Sequence, residues 1–475
     1  MPLIIPANSI TGGYEVDNSC RFDDGSSDSL TRTPGSDGDR QKWTTSQWIK
    51  RGNFTGQHQN VFTCGTYSES INIRDDDKVY VQVSNNNTTA VGLMTDRVIR
   101  DPSAWYHIVV ACDTTQGTAS NRLKLYINGV EETSFSQDQR SSITQNMSTA
   151  ICGQFEHRFG KDEGTSNYYN GYLAEAVLID GQALDPTSFG EFDEDSGIWK
   201  PISVSGLTFG TNGFYLDFED SSALGDDVSG NGNDFTVNNL TAIDQSTDTC
   251  TNNFATLNPL IIFGANNSEF KEGNLVYDDS RADWRAAVGT FGAQSGKWYW
   301  EMKLGSGTYH QVGIVGTTSP TSSASLIDLS QVHGGYSFYN DNGNLIARTD
   351  GADISGWDSA SVGTTASTGD ILMVALDMDN KFLYFGKNGT WVKSGDPTSG
   401  ASGTGGINIS SDFTSGIDAL PGVSMYSGSD GSLNFGSPPY TISSGNTDGN
   451  GYGNFEYAPP SGYYALNTKN LAEYG

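Results

Sequence analysis

The chain has 475 residues, which allows two to four domains with ample buried cores. Its formal net charge of -30, from 26 basic and 56 acidic residues, leaves no Lys/Arg stripe for phosphates and argues against nucleic acid and anionic lipid as partners. Five scattered cysteines without CxxC spacing argue against a disulfide framework or a zinc site, no stretch nears the ~20 apolar residues of a membrane span, and no basic, apolar, cleavable leader opens the sequence.

Gly 58 and aromatics at 11%, against 17% charged residues and no sustained helical period, fit short strands joined by turns, so the class is all-β. Residues 1–13 place Leu3, Ile4 and Ile5 between two prolines that pre-extend the chain. They are expected either as a docking arm for a partner or as a frayed end packed on its own domain. Residues 14–205 read as a first sandwich. A strand opens at 20–22, and 43–51 alternates Trp43, Thr45, Gln47 and Ile49 against Thr44, Ser46, Trp48 and Lys50. Strands are expected at 59–65, 69–74 and 79–84, then a central hairpin over 105–135. That hairpin pairs Tyr106, Ile108 and Val110 with Leu123, Leu125 and Ile127, and Asn128-Gly129 supplies the positive-φ pair of a tight turn. Cys112, inside its first strand, reads as a small core residue. Strands follow at 149–153 and 168–180, and 189–201 is a capping loop with Trp199.

Residues 206–265 read as a connecting β segment with short strands near 214–218 and 234–237. Its turn gathers Asp227, Ser229, Asn231, Asn233 and Asp234, oxygen donors that could hold calcium, although the same residue types build any tight turn. Residues 266–440 read as the second sandwich. Here Trp298, Trp300 and Met302 alternate with Tyr299, Glu301 and Lys303, and residues 369–392 repeat the plan of the first hairpin: MVALD answers VVACD, and Asn388-Gly389 answers Asn128-Gly129. Residues 441–475 close the chain as a tail.

Three stretches carry a resemblance. FDDGSSDSLTRTPGSDGDRQKWTTSQWIKR, WYHIVVACD, RLKLYINGVEE and YYNGYLAEAVLIDGQALDPTSFGE are similar to the laminin-G-like, concanavalin A-like domains of bacteriophage structural proteins. YWEMKL, HQVGIV, GDILMVALDMDNKFLYFGKNGTW and SLNFG resemble a SPRY domain, whose ligands bind at rim loops, here 317–332, 350–366 and 393–415. YAPPSGYYALNTKNL is similar to the ending of phage proteins that join these two modules. The resemblance implies two tandem antiparallel β-sandwiches (jelly-roll, concanavalin A-like) with a binding role.

Chemistry is sparse. The carboxylates Glu191, Asp193, Glu194 and Asp195 lie in a Gly-bounded loop, Asp217, Glu219 and Asp220 at a strand end, and Asp377 and Asp379 in a turn, without the spacing of sandwich glycosidases. Gln331-Val332-His333 matches a lyase QxH motif by letter alone. His58, His107, His157, His310 and His333 show no metal spacing, and His107 is expected to be structural. What remains is aromatic. Trp105, Tyr168, Tyr169, Tyr336, Tyr339 and Trp357 are candidates to stack on sugar faces, although each alone is more often a packing residue. The expectation is a non-enzymatic virion protein of a tailed phage, a tail-fibre, spike or head-fibre component with lectin-like domains for host surface polysaccharide. It would be assembled with other virion proteins in the host cytoplasm, then become extracellular, and be homotrimeric by family habit. The alternatives are a decoration or tail-adaptor protein that binds only virion subunits, and a polysaccharide depolymerase.

Overall fold

The computed structural model describes residues 13–54, 56–66, 69–164, 166–263, 269–279, 283–317, 328–332 and 334–475. Apart from Gly13, the expected docking arm lies outside them. The chain forms two compact units that divide between Thr251 and Asn252, and each is an antiparallel β-sandwich. Among the described residues the α-helices are Ser359–Val362 and Thr468–Tyr474, and no helix is long and apolar enough to cross a membrane.

The first unit stacks two 8-stranded sheets. In one, the hairpin strands Leu123–Ile127 and Trp105–Asp113 lie beside Lys42–Arg51, which pairs with Gly171–Asp180 and through it with Ser19–Phe22. Alternation sends Ile108, Val110, Cys112, Leu123, Leu125 and Ile127 into the core between the sheets, and Val109, Ala111 and Tyr126 to the outer face. The turn behaves as the sequence predicts, with φ of 49° at Asn128 and 77° at Gly129. Gly129 is also required by space, because a Cβ there would lie 2.2 Å from the Trp199 ring that covers the turn. All five cysteines are buried and none forms a disulfide.

Two expectations for this unit are corrected, and one strand is added to them. Residues 149–153 are a loop, because the buried Glu69 carboxylate accepts the backbone N–H groups of Ala150 (2.5 Å) and Ile151 (2.9 Å), taking donors a strand ladder would need. Residues 206–250 are no connection. Phe214–Leu216, Thr236–Asn238 and Gln245–Ser246 pair with Gly171–Asp180, Ser29–Arg32 and Ser19–Phe22, so they complete both sheets. Such short strands read as linker because their partners lie far away in sequence. The strand Ala90–Val98 goes unread in the sequence, its alternation interrupted at Gly92, over which the Tyr80 ring packs.

The second unit stacks a 7-stranded sheet on a 9-stranded one. In the larger sheet Lys297–Leu304 lies between Ile371–Asp377 and Ser429–Asn434, with Trp298, Trp300 and Met302 in the core and Tyr299 on the outer face. The expected tail is built in. Tyr464–Ala465 adds to Lys297–Leu304 in parallel, and Phe455, Tyr463 and Ala465 cover the outer face around Tyr299. Buried Glu301 ties this cover down, accepting the N–H groups of Glu456 (3.1 Å) and Tyr457 (2.7 Å). The smaller sheet runs, in spatial order, Leu257–Phe263, Arg285–Gly289, Ala419–Met425, Tyr309–Gly316, Tyr336–Asp341, Asn344–Thr349 and Ala352–Asp353. Leu257–Phe263 therefore belongs to this unit rather than to a connection.

Candidate functional site

The structure disperses the six sequence-named aromatics and buries most of them. The Trp105 indole donates to Asp248 Oδ1 (3.1 Å), beside a fully buried Lys50–Asp248 ion pair of 2.6 Å. The Tyr169 hydroxyl donates to the carbonyls of Lys50 (2.9 Å) and Tyr172 (3.1 Å). Trp357 meets Phe385 edge-on inside the core, and Tyr336 packs on Phe413 with its hydroxyl donating to Asp412. Tyr168 is half-buried. Aromatics at strand ends thus become packing residues wherever a later segment covers them, as residues near 199 and 248 do around Trp105.

The calcium reading is also corrected. Asp227 Oδ1 accepts from the N–H groups of Tyr215 and Ser229 (both 2.9 Å), while its Oδ2 accepts from the Ser229 hydroxyl (2.9 Å) and Asn233 N–H (2.8 Å). Asp234 Oδ1 accepts the N–H of Asp227 (3.0 Å), the amides of Asn231 and Asn233 donate to the Gly213 carbonyl, and Arg32 donates to Asn233 Oδ1. The donor set is saturated by protein hydrogens, including a guanidinium, and does not fit a cation. Among the described residues, no three His, Cys, Asp or Glu side chains converge as a metal would require.

The buried titratable groups are structural. The Trp199 indole can only donate, and it donates to His107 Nδ1 (2.9 Å), so His107 Nε2 carries the proton and donates to Ser46 Oγ (2.8 Å). Burial pulls this imidazole down to about 3, and in this tautomer it cannot take a proton from Ser46. His157 donates from Nδ1 to the Phe155 carbonyl (2.8 Å) and accepts at Nε2 from Cys152 N–H (3.2 Å), with Cys64 Sγ at 3.6 Å. Burial raises the Cys64 thiol, which keeps it protonated. Glu175 sits at φ 50° on a bulge in Gly171–Asp180 and accepts from the hydroxyls of Tyr215 (2.9 Å) and Tyr14 (3.2 Å). Burial, with Asp217 and Glu219 nearby, pushes its carboxyl up to about 7. Turn carboxylates close turns: Asp193 caps Ser196, Asp217 caps Glu219, Asp220 caps Ser222, and Asp377 caps Asp379 and Asn380. Of the QxH triplet, Val332 is buried, Gln331 is exposed and His333 lies outside the described residues.

One aromatic group does reach the surface, on the outer face of the 7-stranded sheet. Val312, Ile314, Phe338, Leu345, Ala347 and Val423 point into the core, so Tyr309, Gln311, Tyr339 and Arg348 point out. Trp284, just ahead of Arg285–Gly289, stacks on Tyr426 (5.3 Å, 29°) and meets Tyr339 (5.4 Å) and Tyr309 (6.4 Å) edge-on, while Tyr309 meets Tyr426 at 5.4 Å. Trp284, Tyr309 and Tyr426 are half-buried. The Arg348 guanidinium lies 5.5 Å from the Tyr339 ring centre and 3.2 Å from Asp353, and the Tyr339 hydroxyl donates to Asp341 (3.2 Å). Burial and Asp341 push that hydroxyl up, so it remains a donor.

Gln311 lies directly across from Tyr339 on one side and Ser424 on the other. It is 0% exposed, and neither its amide nitrogen nor its oxygen has a hydrogen-bond partner among the described residues; the Ser337 hydroxyl also has none. Leaving such a group unpaired costs about 1–3 kcal/mol. Rings for the C–H face of a sugar, an amide beneath them and charged groups at the side make up the inventory of a carbohydrate site. Of its residues only Tyr339 is legible in the sequence. Trp284 and Tyr426 sit just outside strands, where alternation says nothing of exposure, and Gln311 reads as any polar strand residue.

Among known proteins, the concanavalin A-like lectin/glucanases superfamily matches residues 24–187. Among solved structures, the chain is similar to a heptameric SAP-like pentraxin from Limulus polyphemus, with 15% identity over 36% of this chain and 80% of that one, at a TM-score of 0.27. It is also similar to the SPRY domain of human HERC1, with 16% identity over 37% of this chain and 96% of that one, at a TM-score of 0.25. No curated protein matches the chain.

Proposed function

We propose that this chain is a non-catalytic, glycan-binding structural protein of a tailed-phage virion, a fibre, spike or head-fibre component that holds host surface polysaccharide. The observation that carries the binding role is the group Trp284, Tyr309, Tyr339 and Tyr426 set around the unpaired Gln311 amide. The lectin superfamily match to residues 24–187 supports a carbohydrate ligand. The phage assignment rests on the resemblance of the two modules and their shared ending. A homotrimer among other virion proteins, extracellular once released, is part of this reading. The absence of catalysis is supported by imidazoles held neutral as hydrogen-bond acceptors or donors and by carboxylates committed to turns and covers.

The test is to apply fluorescent full-length protein to host cells and purified host capsule, alongside Trp284→Ala. Binding without sugar release, lost in the variant, is expected. Release of oligosaccharide favours a depolymerase. No binding even on multivalent beads, together with antibody labelling only between virion subunits, favours an adaptor.

A further inference from the structure

Pro-Leu-Ile-Ile occurs twice, at residues 2–5 and 259–262, and each copy leads into an Ala-Asn run, PANS at 6–9 and GANNS at 264–268. The second copy forms most of Leu257–Phe263, the outermost strand of the 7-stranded sheet. This strand pairs with Arg285–Gly289 alone among the described residues, with a register slip between Leu257 and Ile262. Leu260 is 53% exposed, Ile261 and Ile262 are half-buried, and the strand has no charged residue. Soluble sheets guard their edges with charge, bulges or cover, because an open edge templates another strand. Among the described residues the first half of this edge is guarded by Pro259, the slip, and the N–H groups of Leu257 and Leu260, which donate to the Asn274 carbonyl (3.0 Å) and Asn258 Oδ1 (3.0 Å), whereas residues 260–263 are aliphatic and aromatic without charge.

We propose that residues 2–5 of a second copy of this chain pair along the Leu257–Phe263 edge, so that copies are joined by exchanged arms. Pro2 and Pro6 bias Leu3, Ile4 and Ile5 towards extended backbone, the state in which a strand is added at least ordering cost. The added segment is chemically matched, since identical aliphatic side chains meet across the new pair. Each joint brings an arm to an edge, so it closes as a reciprocal pair when the rotation is two-fold and as a larger ring at smaller rotations. The inference shares the expectation of a homo-oligomer with the proposed function and stands whether or not sugar is bound.

Sedimentation of the full chain over a concentration series, with Ile4→Asp and Leu260→Lys, reads the joint. Leu260 is exposed, so its substitution leaves the fold intact, as far-UV circular dichroism verifies. An oligomer is expected, with each variant weakening association about 10-fold or more. A photo-crosslinking benzoylphenylalanine in place of Ile4, in a mixture of isotopically heavy and light chains, should give heavy-to-light adducts within residues 257–263. A monomer at every concentration, an oligomer indifferent to both substitutions, adducts confined to one chain, or adducts elsewhere would each overturn the proposal.

Discussion

The two central hairpins, Trp105–Asp113 with Leu123–Ile127 and Ile371–Asp377 with Phe382–Lys387, agree down to side-chain detail. Asn128 Oδ1 accepts the N–H of His107 and Asn388 Oδ1 that of Ile371, both at 2.8 Å. Lys42-Trp43 sits opposite Cys112-Asp113, as Lys297-Trp298 sits opposite Leu376-Asp377. The turn glycines lie under a ring in both, Gly129 under Trp199 and Gly389 under Tyr457. What differs is how the hairpin sheet is covered. In the first sandwich the cover includes Phe189, Val204 and Phe209, whereas in the second it is the closing segment, tied down by Glu301. Both hairpin sheets are therefore covered on their outer faces. On the opposite sheet of the second unit, the outer face carries the half-buried rings of Trp284, Tyr309 and Tyr426.

The comparison breaks hardest at the carboxylate that holds the cover. Glu301→Ala strands the donors of Tyr299, Asn434, Glu456 and Tyr457 and should cost about 4 kcal/mol. That lowers the second unit's melting temperature by about 10 °C in calorimetry. Protease nicking confined to residues 441–460 would be its signature, and an unchanged melting profile would remove the tie from the account.

The first unit should respond to pH through Glu175. Its folded carboxyl, near 7, lies above the ordinary 4.5, so the folded state holds the proton over that window and stability falls as pH rises from about 4.5 to 7. The loss is on the order of 3 kcal/mol. His107 and His157, buried and neutral, pull the other way, losing stability as pH falls below 6.5. Urea unfolding of Glu175→Gln against the unmodified protein isolates the carboxyl: the stability difference should shift in the variant's favour from pH 4.5 to 7 and level off above. A difference flat in pH would contradict the assignment.

The smallest expected effect separates the two turns. Gly129→Ala and Gly389→Ala share the positive-φ cost, but the added methyl would sit 2.2 Å from Trp199 in one and 2.9 Å from Tyr457 in the other. Losses of about 2 and about 1 kcal/mol are expected by denaturant titration. Equal losses would show that the covers yield equally.

The hairpins, the all-β class and the sandwich pairing are legible in the sequence because period-two alternation and Asn-Gly turns are local signals. The extent of each unit is not. Thr236–Asn238 pairs with Ser29–Arg32 across some two hundred residues, and three-residue strands carry no period of their own. The site is less legible still. Trp105 and Trp284 look alike in sequence, yet one is sealed by Asp248 while the other stays half open. Clustered Asp and Asn read equally as calcium ligands or as a turn until Asp227 is seen accepting three hydrogen bonds from its own loop and one from Tyr215.

The central claim is that the second sandwich binds sugar through its surface rings. Titrating size-graded host polysaccharide fragments into the intact protein, followed by calorimetry and tryptophan fluorescence, tests it most directly against Trp284→Ala. Saturable binding is expected, weakened about 10-fold or more in the variant, with melting unchanged within about 1 kcal/mol. Equal affinity in both proteins, or no binding by the unmodified one, would contradict it.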